Sequence, residues 1–427
     1  VEKCSNEVSK DKSLKWQQEK TYNPKNNFNR GQLNMSKGKI AIVGIGEVPT
    51  GWYPERHEWD IIYDSCMQAV RDAGINKNEI EGVICSPAIG QPKLDSELVF
   101  GKLPEELGLK GCKDIVSVNG GGSTSANLLR MAEHWINTGV AKTVLIMHAS
   151  KYSSIDPNLV IKTFATAGMS MEWEYPFGTT YNGMVAMVTE RFMQDNGVSP
   201  EEMASIPVAF RKWAELDPNA MFRKPLTVEK VLSTRMISTP LHSMECNMLA
   251  DGGAALLVTS ATNAAKICKT PVYKLGEGSR YCQATLTQRT DETNAAQYKA
   301  AASDAFREAG LSINHMNVLE LYCAYPVLMP YLLVALGVSK NGKEAIRFIA
   351  DGNTWPGGKL PCSTIGDALS RGHTGSGVGF AYLVETARQL MGKAGERQVK
   401  DCKYALMNCA GGSGMNMIFE IFGRKLK

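Results

Sequence analysis

The chain repeats itself. AVRDAG at 69–74 returns as AFREAG at 305–310. Each copy closes a stretch of helical period, 59–74 and 297–310, with a terminal glycine placed to cap it. Each then leads through a polar link to an apolar strand, EGVICS at 81–86 and NVLELY at 317–322. The echo continues further along. GGGSTS at 120–125 opens a helix to about 138, and the strand TVLIMHAS follows at 143–150. GHTGSG at 372–377 opens a helix to about 391, and the strand YALMNCAGG follows at 404–412. Matches in the same order predict an internal duplication of an α/β unit. The halves are 35–265 and 266–427. Residues 152–240 break the pattern with MEWEYPFGTTYNG, a helix at 200–215 and RKPLTVEKVLSTR. They read as an insertion before the first half's last strand, Ala254–Ser260, of the kind that covers a substrate.

The totals narrow the functional classes. With 427 residues, 44% hydrophobic, the chain can build one large core or two fused domains. Its formal charge is +4, and residues 1–34, with seven Lys/Arg and four Asp/Glu, carry +3 of it. The nearly neutral remainder argues against a nucleic-acid binder. No apolar run reaches the ~18–20 residues of a membrane helix, and no signal-peptide core lies near the start. Eleven cysteines occur singly, without a CxxC pair. They suit reduced, buried thiols of a cytoplasmic protein and make an internal zinc ribbon unexpected. Residues 1–34 are polar and aperiodic, a disordered extension or an added leader. Gly44-Ile45-Gly46 after the strand Ile40–Val43 hints at a dinucleotide fingerprint. Glu47-Val48-Pro49 stands where its third glycine belongs, so a plain strand and turn is the favoured reading and a dinucleotide site the alternative.

The two Gly/Ser turns lie at helix N-termini, which present free N–H groups and partial positive charge. In a duplicated α/β protein both can reach one pocket. His373, within the second turn, is the candidate base, against a structural turn histidine. Cys409, in NCAGGSG, is a candidate for proton exchange with a carbanion, against a core thiol. Tyr322 closes a strand; it is packing or a phenol donor to an oxyanion, and Tyr325 offers the same. Asp251-Gly252-Gly253 reads as a turn before a strand.

Taken together, LPCSTIGDALSRGHTGSG, NCAGGSG, ADGGAALLV and PLTVEKVLSTRMISTPL resemble the thiolase superfamily, closest to sterol-carrier-protein-type thiolases and lipid-transfer-type relatives, over about 39–424. The resemblance implies a five-layered αβαβα fold of two similar halves with a loop domain, a coenzyme A thioester substrate and a homodimer. It implies that His373 is the activating histidine, although Thr374 replaces the family's proline, and that Cys409 is the proton-exchanging cysteine. The family's nucleophilic cysteine aligns with Gly122, beside Ser123, and no cysteine occurs in 113–245. Tyr322 stands about where the family has a second histidine.

These departures suggest thiolytic cleavage of a 3-oxoacyl-CoA without an acyl-enzyme. His373 would deprotonate coenzyme A, the co-substrate. Gly122, Ser123, Tyr325 and Gly412 would hold the oxyanion or substrate, and the vacated cysteine position would become space. MSKGKIAIVGIGEVPTG and NGGGSTS are similar to thiolase-like subunits of the benzoylsuccinyl-CoA type, in anaerobic toluene breakdown. That likeness implies a small zinc-finger/OB-fold partner subunit, so zinc would sit only in the partner. A retro-aldolase acting on a 3-hydroxyacyl-CoA through Tyr322 is the alternative within enzymes. A non-catalytic acyl-CoA- or lipid-binding subunit is the alternative outside them.

Overall fold

A computed structural model describes residues 39–86, 99–166, 168–283, 285–289, 295–412 and 414–426. The expected leader at 1–34 lies outside them. The strands are β1 Ile40–Gly51, β2 Gly82–Ser86, β3 Asp114–Ser117, β4 Thr143–Ser150, β5 Met236–Ser238, β6 Leu241–His242, β7 Asp251–Ser260, β8 Val272–Tyr281, β9 Val318–Leu321, β10 Tyr404–Gly411 and β11 Asn416–Gly423. The helices are α1 Glu58–Ala73, α2 Val99–Glu106, α3 Thr124–Thr138, α4 Pro157–Thr166, α5 Tyr181–Asn196, α6 Pro200–Ala214, α7 Val228–Leu232, α8 Ala261–Ile267, α9 Ala295–Ala309, α10 Leu328–Ala335, α11 Gly342–Ala350, α12 Asp367–Arg371 and α13 Gly379–Met391.

Nine strands run in the order β3-β2-β4-β7-β1-β8-β11-β10-β9. The order is a mirror. β1 and β8 meet at its centre through only two residue pairs, Ala41–Tyr273 and Ile42–Val272. On each side the last strand of a half, β7 or β11, runs antiparallel to its first strand, β1 or β8. A parallel bridge from Leu319 to Cys362 occupies the place that β3 holds beside β2. The duplication read from AVRDAG and AFREAG is thus a structural repeat. α1 covers β1 and β7 on one outside, and α9 covers β8 and β11 on the other. α3 and α13 touch each other and strands of both halves, so they form the middle of five layers, αβαβα. A middle layer has no solvent side. That is why α13 buries Glu385 and Gln389 as well as its apolar residues. Glu385 bonds Arg397 at 2.9 Å and Arg388 at 3.2 Å, as an isolated buried charge could not persist.

The Gly44-Ile45-Gly46 signal belongs to packing, not to a phosphate. A Cβ at Gly44 would strike the Ala69 carbonyl, and one at Gly46 the Ser65 carbonyl, both on α1. Gly276 and Gly278 of β8 stand the same way against Ala305 and Ala301 of α9. Paired glycines in both first strands let an alanine-rich helix lie close on each half.

The remaining boundaries need one correction. Asp251-Gly252-Gly253 is not a turn but the start of β7, paired with β4 and β1. The buried Asp251 carboxylate accepts from Tyr53 N at 2.9 Å, Ser153 N at 2.8 Å and Lys151 Nζ at 3.2 Å. The insertion between β4 and β7 contains α4–α7 and the β5–β6 pair. The ten cysteines among the described residues are all free. Among those residues no helix is long and apolar enough to cross a membrane, and no His/Cys/Asp/Glu group could hold a metal.

Candidate active site

Both Gly/Ser turns open on one cavity of about 420 Å³. Gly121 and Gly122 come from the first turn, His373, Gly375 and Ser376 from the second, and Tyr322, Tyr325 and Gly412 from the second half's strand ends. Tyr152, Phe164 and Tyr181, from the insertion, close its other side. The insertion does cover this cavity.

His373 is fixed at its backbone. Its N–H donates to Met248 O at 2.9 Å and its carbonyl accepts from Ala250 N at 3.0 Å. Two residues earlier, buried Arg371 pairs with Glu47 of β1 at 2.6 Å and with Asp217 of the insertion. The imidazole is buried, and desolvation holds its pKa down to about 4. It is neutral at pH 7, with one donor and one acceptor nitrogen. Nδ1 faces the Gly375 N–H at 3.0 Å and must accept. The proton therefore sits on Nε2, which donates to Tyr322 Oη at 2.9 Å. This tautomer leaves His373 no free lone pair for a thiol proton, so the base role expected from the sequence does not fit it. It also leaves the Tyr322 O–H free to donate into the cavity.

Tyr322 is held as firmly. Its N–H donates to Asn408 Oδ1 at 3.0 Å, and the next N–H, of Cys323, to Asp367 Oδ2 at 3.0 Å. Ala324, Ser363 and Asp367 all carry φ between 51° and 60°. Three non-glycine residues in the left-handed region cost about 1–3 kcal/mol each and are tolerated where the surroundings dictate them. Burial raises the Tyr322 phenol well above its ordinary range, so it rests protonated.

The phenol explains the missing cysteine. A Cβ at Gly122 would lie 2.8 Å from Tyr322 Cε1 and 3.2 Å from its Oη, and would overlap the Ala410 carbonyl. The position aligned with the nucleophile is occupied by Tyr322, not vacant as the sequence suggested.

Ser123 and Cys409 lie away from the cavity. Ser123 Oγ donates to Gly120 O at 2.7 Å and accepts from Asn127 Nδ2 at 3.1 Å and Asn416 Nδ2 at 3.2 Å. It does not line the cavity; it ties the turn together. The Cys409 thiol is fully buried against Ser125 Oγ at 3.2 Å, behind the glycine turn. Burial pushes it up to about 12, so the proton-exchange role given to it meets neither access nor acidity. Tyr325 and Gly412 do line the site, each engaged: Tyr325 Oη donates to Asn182 Oδ1 at 2.5 Å, and Gly412 O accepts from Tyr181 Oη at 2.7 Å. Asn408 and Asp367, which position Tyr322, and the insertion's aromatics escaped the sequence reading. They lie far from Tyr322 in the chain, with no spacing that connects them.

Residues 278–424 match the family described as Thiolase C-terminal domain-like. Similar proteins include an acetyl-CoA acetyltransferase of Methanothermobacter thermautotrophicus, 26% identical over 90% of this chain and 99% of that one. A steroid side-chain-cleaving aldolase of Thermomonospora curvata is 28% identical over 83% and 92%. The benzoylsuccinyl-CoA thiolase subunit BbsB of Thauera aromatica is 26% identical over 88% and 95%. A solved structure described as "Ltp2-ChsH2(DUF35) aldolase" superposes with a TM-score of 0.79 at 26% identity, covering 92% of this chain and all of that one. With its mirrored halves and its paired turns around one cavity, the chain has the thiolase fold and is similar to proteins of the thiolase superfamily over most of its length.

Proposed function

We propose that the protein breaks the C2–C3 bond of an acyl-CoA bearing oxygen at C3, by retro-aldol cleavage of a 3-hydroxyacyl-CoA. The observation that carries this reading is the Tyr322 hydroxyl, seated at the nucleophile's position and held by His373 Nε2–H. In the cleavage direction the Tyr322 phenolate, stabilised by that N–H, takes the proton of the C3 hydroxyl. The C3 oxygen becomes a carbonyl, the C2–C3 bond breaks, and the pair of electrons leaves as the enolate of the shortened acyl-CoA. A proton at C2 completes the product. In reverse, the Tyr322 O–H protonates the C3 alkoxide. Neither direction needs an acyl-cysteine or free coenzyme A. Because burial makes the phenolate scarce but strongly basic, the cleavage rate is expected to rise with pH through the neutral range.

The aldolase among the similar proteins supports this reading. Thiolysis of a 3-oxoacyl-CoA, such as 2-benzoylsuccinyl-CoA, is the second reading. The end-to-end likeness to an acetyl-CoA acetyltransferase and the benzoylsuccinyl-CoA thiolase subunit favour it. There the Tyr322 O–H would polarise the 3-oxo group while the coenzyme A thiolate attacks it directly. Products from a 3-hydroxyacyl-CoA and a 3-oxoacyl-CoA, each with and without coenzyme A, separate the two by mass spectrometry. The proposal expects cleavage of the hydroxy substrate without coenzyme A. Cleavage of the oxo substrate alone, and only with coenzyme A, would replace it by thiolysis.

We also propose two associations. The DUF35 component named in the similar structure supports a small partner subunit, which the sequence reading makes a zinc-finger/OB-fold protein. β3 ends the sheet as an open edge of half-exposed residues, which supports pairing with a second copy.

A further inference from the structure

The cavity holds two hydroxyls without partners. Tyr152 Oη and Ser376 Oγ are buried, line the cavity and make no hydrogen bond. The other tyrosines of the same wall are all engaged: Tyr181 with Gly412, Tyr325 with Asn182, and Tyr322 with His373. Buried polar groups are normally satisfied, so an unmet pair in one cavity calls for an absent partner. Gly375, next to Ser376 in the chain, makes room for the Tyr152 hydroxyl, which a Cβ there would strike. Tyr152 is held there by its neighbours, since Asp251 binds both Lys151 and Ser153. Phe164 packs beside its ring at 6.5 Å.

We infer that Tyr152 and Ser376 form a second oxygen site, which donates to the thioester carbonyl of the bound acyl-CoA. The inference rests on the acyl-CoA reading above and deepens it. Cleavage at C2–C3 involves two oxygens with different needs. The C3 oxygen exchanges a proton, and Tyr322 with His373 behind it can do that. The thioester oxygen gains charge as the enolate forms and needs only donors. Two hydroxyls with no relay behind them suit that second need, and a phenol in a desolvated wall is a strong donor.

The test uses two ligands that lack C3 oxygen and cannot be cleaved, butyryl-CoA and its thioether S-butyl-CoA, titrated calorimetrically. They differ only at the thioester oxygen. Wild type is expected to bind butyryl-CoA about tenfold more tightly. The Tyr152→Phe/Ser376→Ala double variant is expected to reduce that preference to under about twofold, mainly by losing butyryl-CoA affinity. A preference retained in the double variant overturns the inference. So does equal binding of both ligands by wild type, which leaves the acyl-CoA reading standing. Binding of neither ligand overturns both. The single variants and the double should melt at the wild-type temperature or above, since no internal bond is lost. A fall of several degrees would mean the hydroxyls already have partners within the protein, and would also overturn it.

Discussion

The two Gly/Ser turns descend from one repeated unit and now do opposite things. In the second half GHTGSG carries His373, a side chain with a fixed tautomer and a bonded neighbour. In the first half GGGSTS brings no side chain to the cavity. Gly121 and Gly122 are a bare floor, and the Ser123 hydroxyl is turned inward to Gly120. The space above that floor is filled from the other half, by Tyr322. A duplicated fold offers two equivalent helix starts at one cavity. Here one start has ceded its chemistry to residues of its sister half.

That contrast can be broken from either side. Tyr322→Phe should have the largest effect, lowering kcat on a cleavable substrate by roughly a thousandfold. Its melting temperature should fall by only a few degrees, because His373 Nε2–H loses its acceptor while the ring still fills the space above Gly122. Restoring a side chain to the first turn tests the converse. Gly122→Cys pushes a Cβ into the Ala410 carbonyl and the Tyr322 ring. We expect a loss of about 3 kcal/mol in urea unfolding and a slower reaction. A faster enzyme with an acylated cysteine would mean that the floor still accepts the nucleophile.

The His373 side of the contrast is read through pH. Its folded pKa is held down to about 4, against an unfolded value near 6.5. Between those values the unfolded chain binds the proton and the folded one does not, so this group costs stability as pH falls from 6.5 towards 4. Wild type should therefore lose about 2–3 kcal/mol relative to His373→Asn between pH 7 and pH 4.5, measured by urea unfolding. An equal slope in both proteins would place a protonated imidazole in the folded state. The smallest effect belongs to Cys409→Ala. With its thiol behind the turn and bonded to Ser125, the variant should keep kcat within about threefold. A loss of a hundredfold would bring that thiol into the chemistry.

Much of the architecture was legible because the halves repeat. The second helix of each half sits at its predicted place, at Thr124–Thr138 and Gly379–Met391. So do β4 and β10, whose continuous apolar runs reflect burial on both faces. His373 and Tyr322 were legible as candidates, since each ends or starts an element beside glycines. Their partnership was not, because hydrogen bonds between residues 51 positions apart leave no periodic trace. Cys409 misled for a related reason. Its place in the strand is visible from sequence, but which face of β10 meets the cavity depends on how the sheet lies against α3. The packing role of Gly44 and Gly46 was not legible, because a strand can need glycine for a close helix as well as for a turn or a phosphate.

The most direct test of a first turn without chemistry is the intact mass of the protein during exposure to acetoacetyl-CoA in the absence of free coenzyme A. The mass should stay unmodified at every time point, because neither Gly122 nor the buried Cys409 can take an acyl group. An added acyl mass that appears on mixing and is discharged by coenzyme A would contradict it, and would return the protein to an acyl-enzyme route.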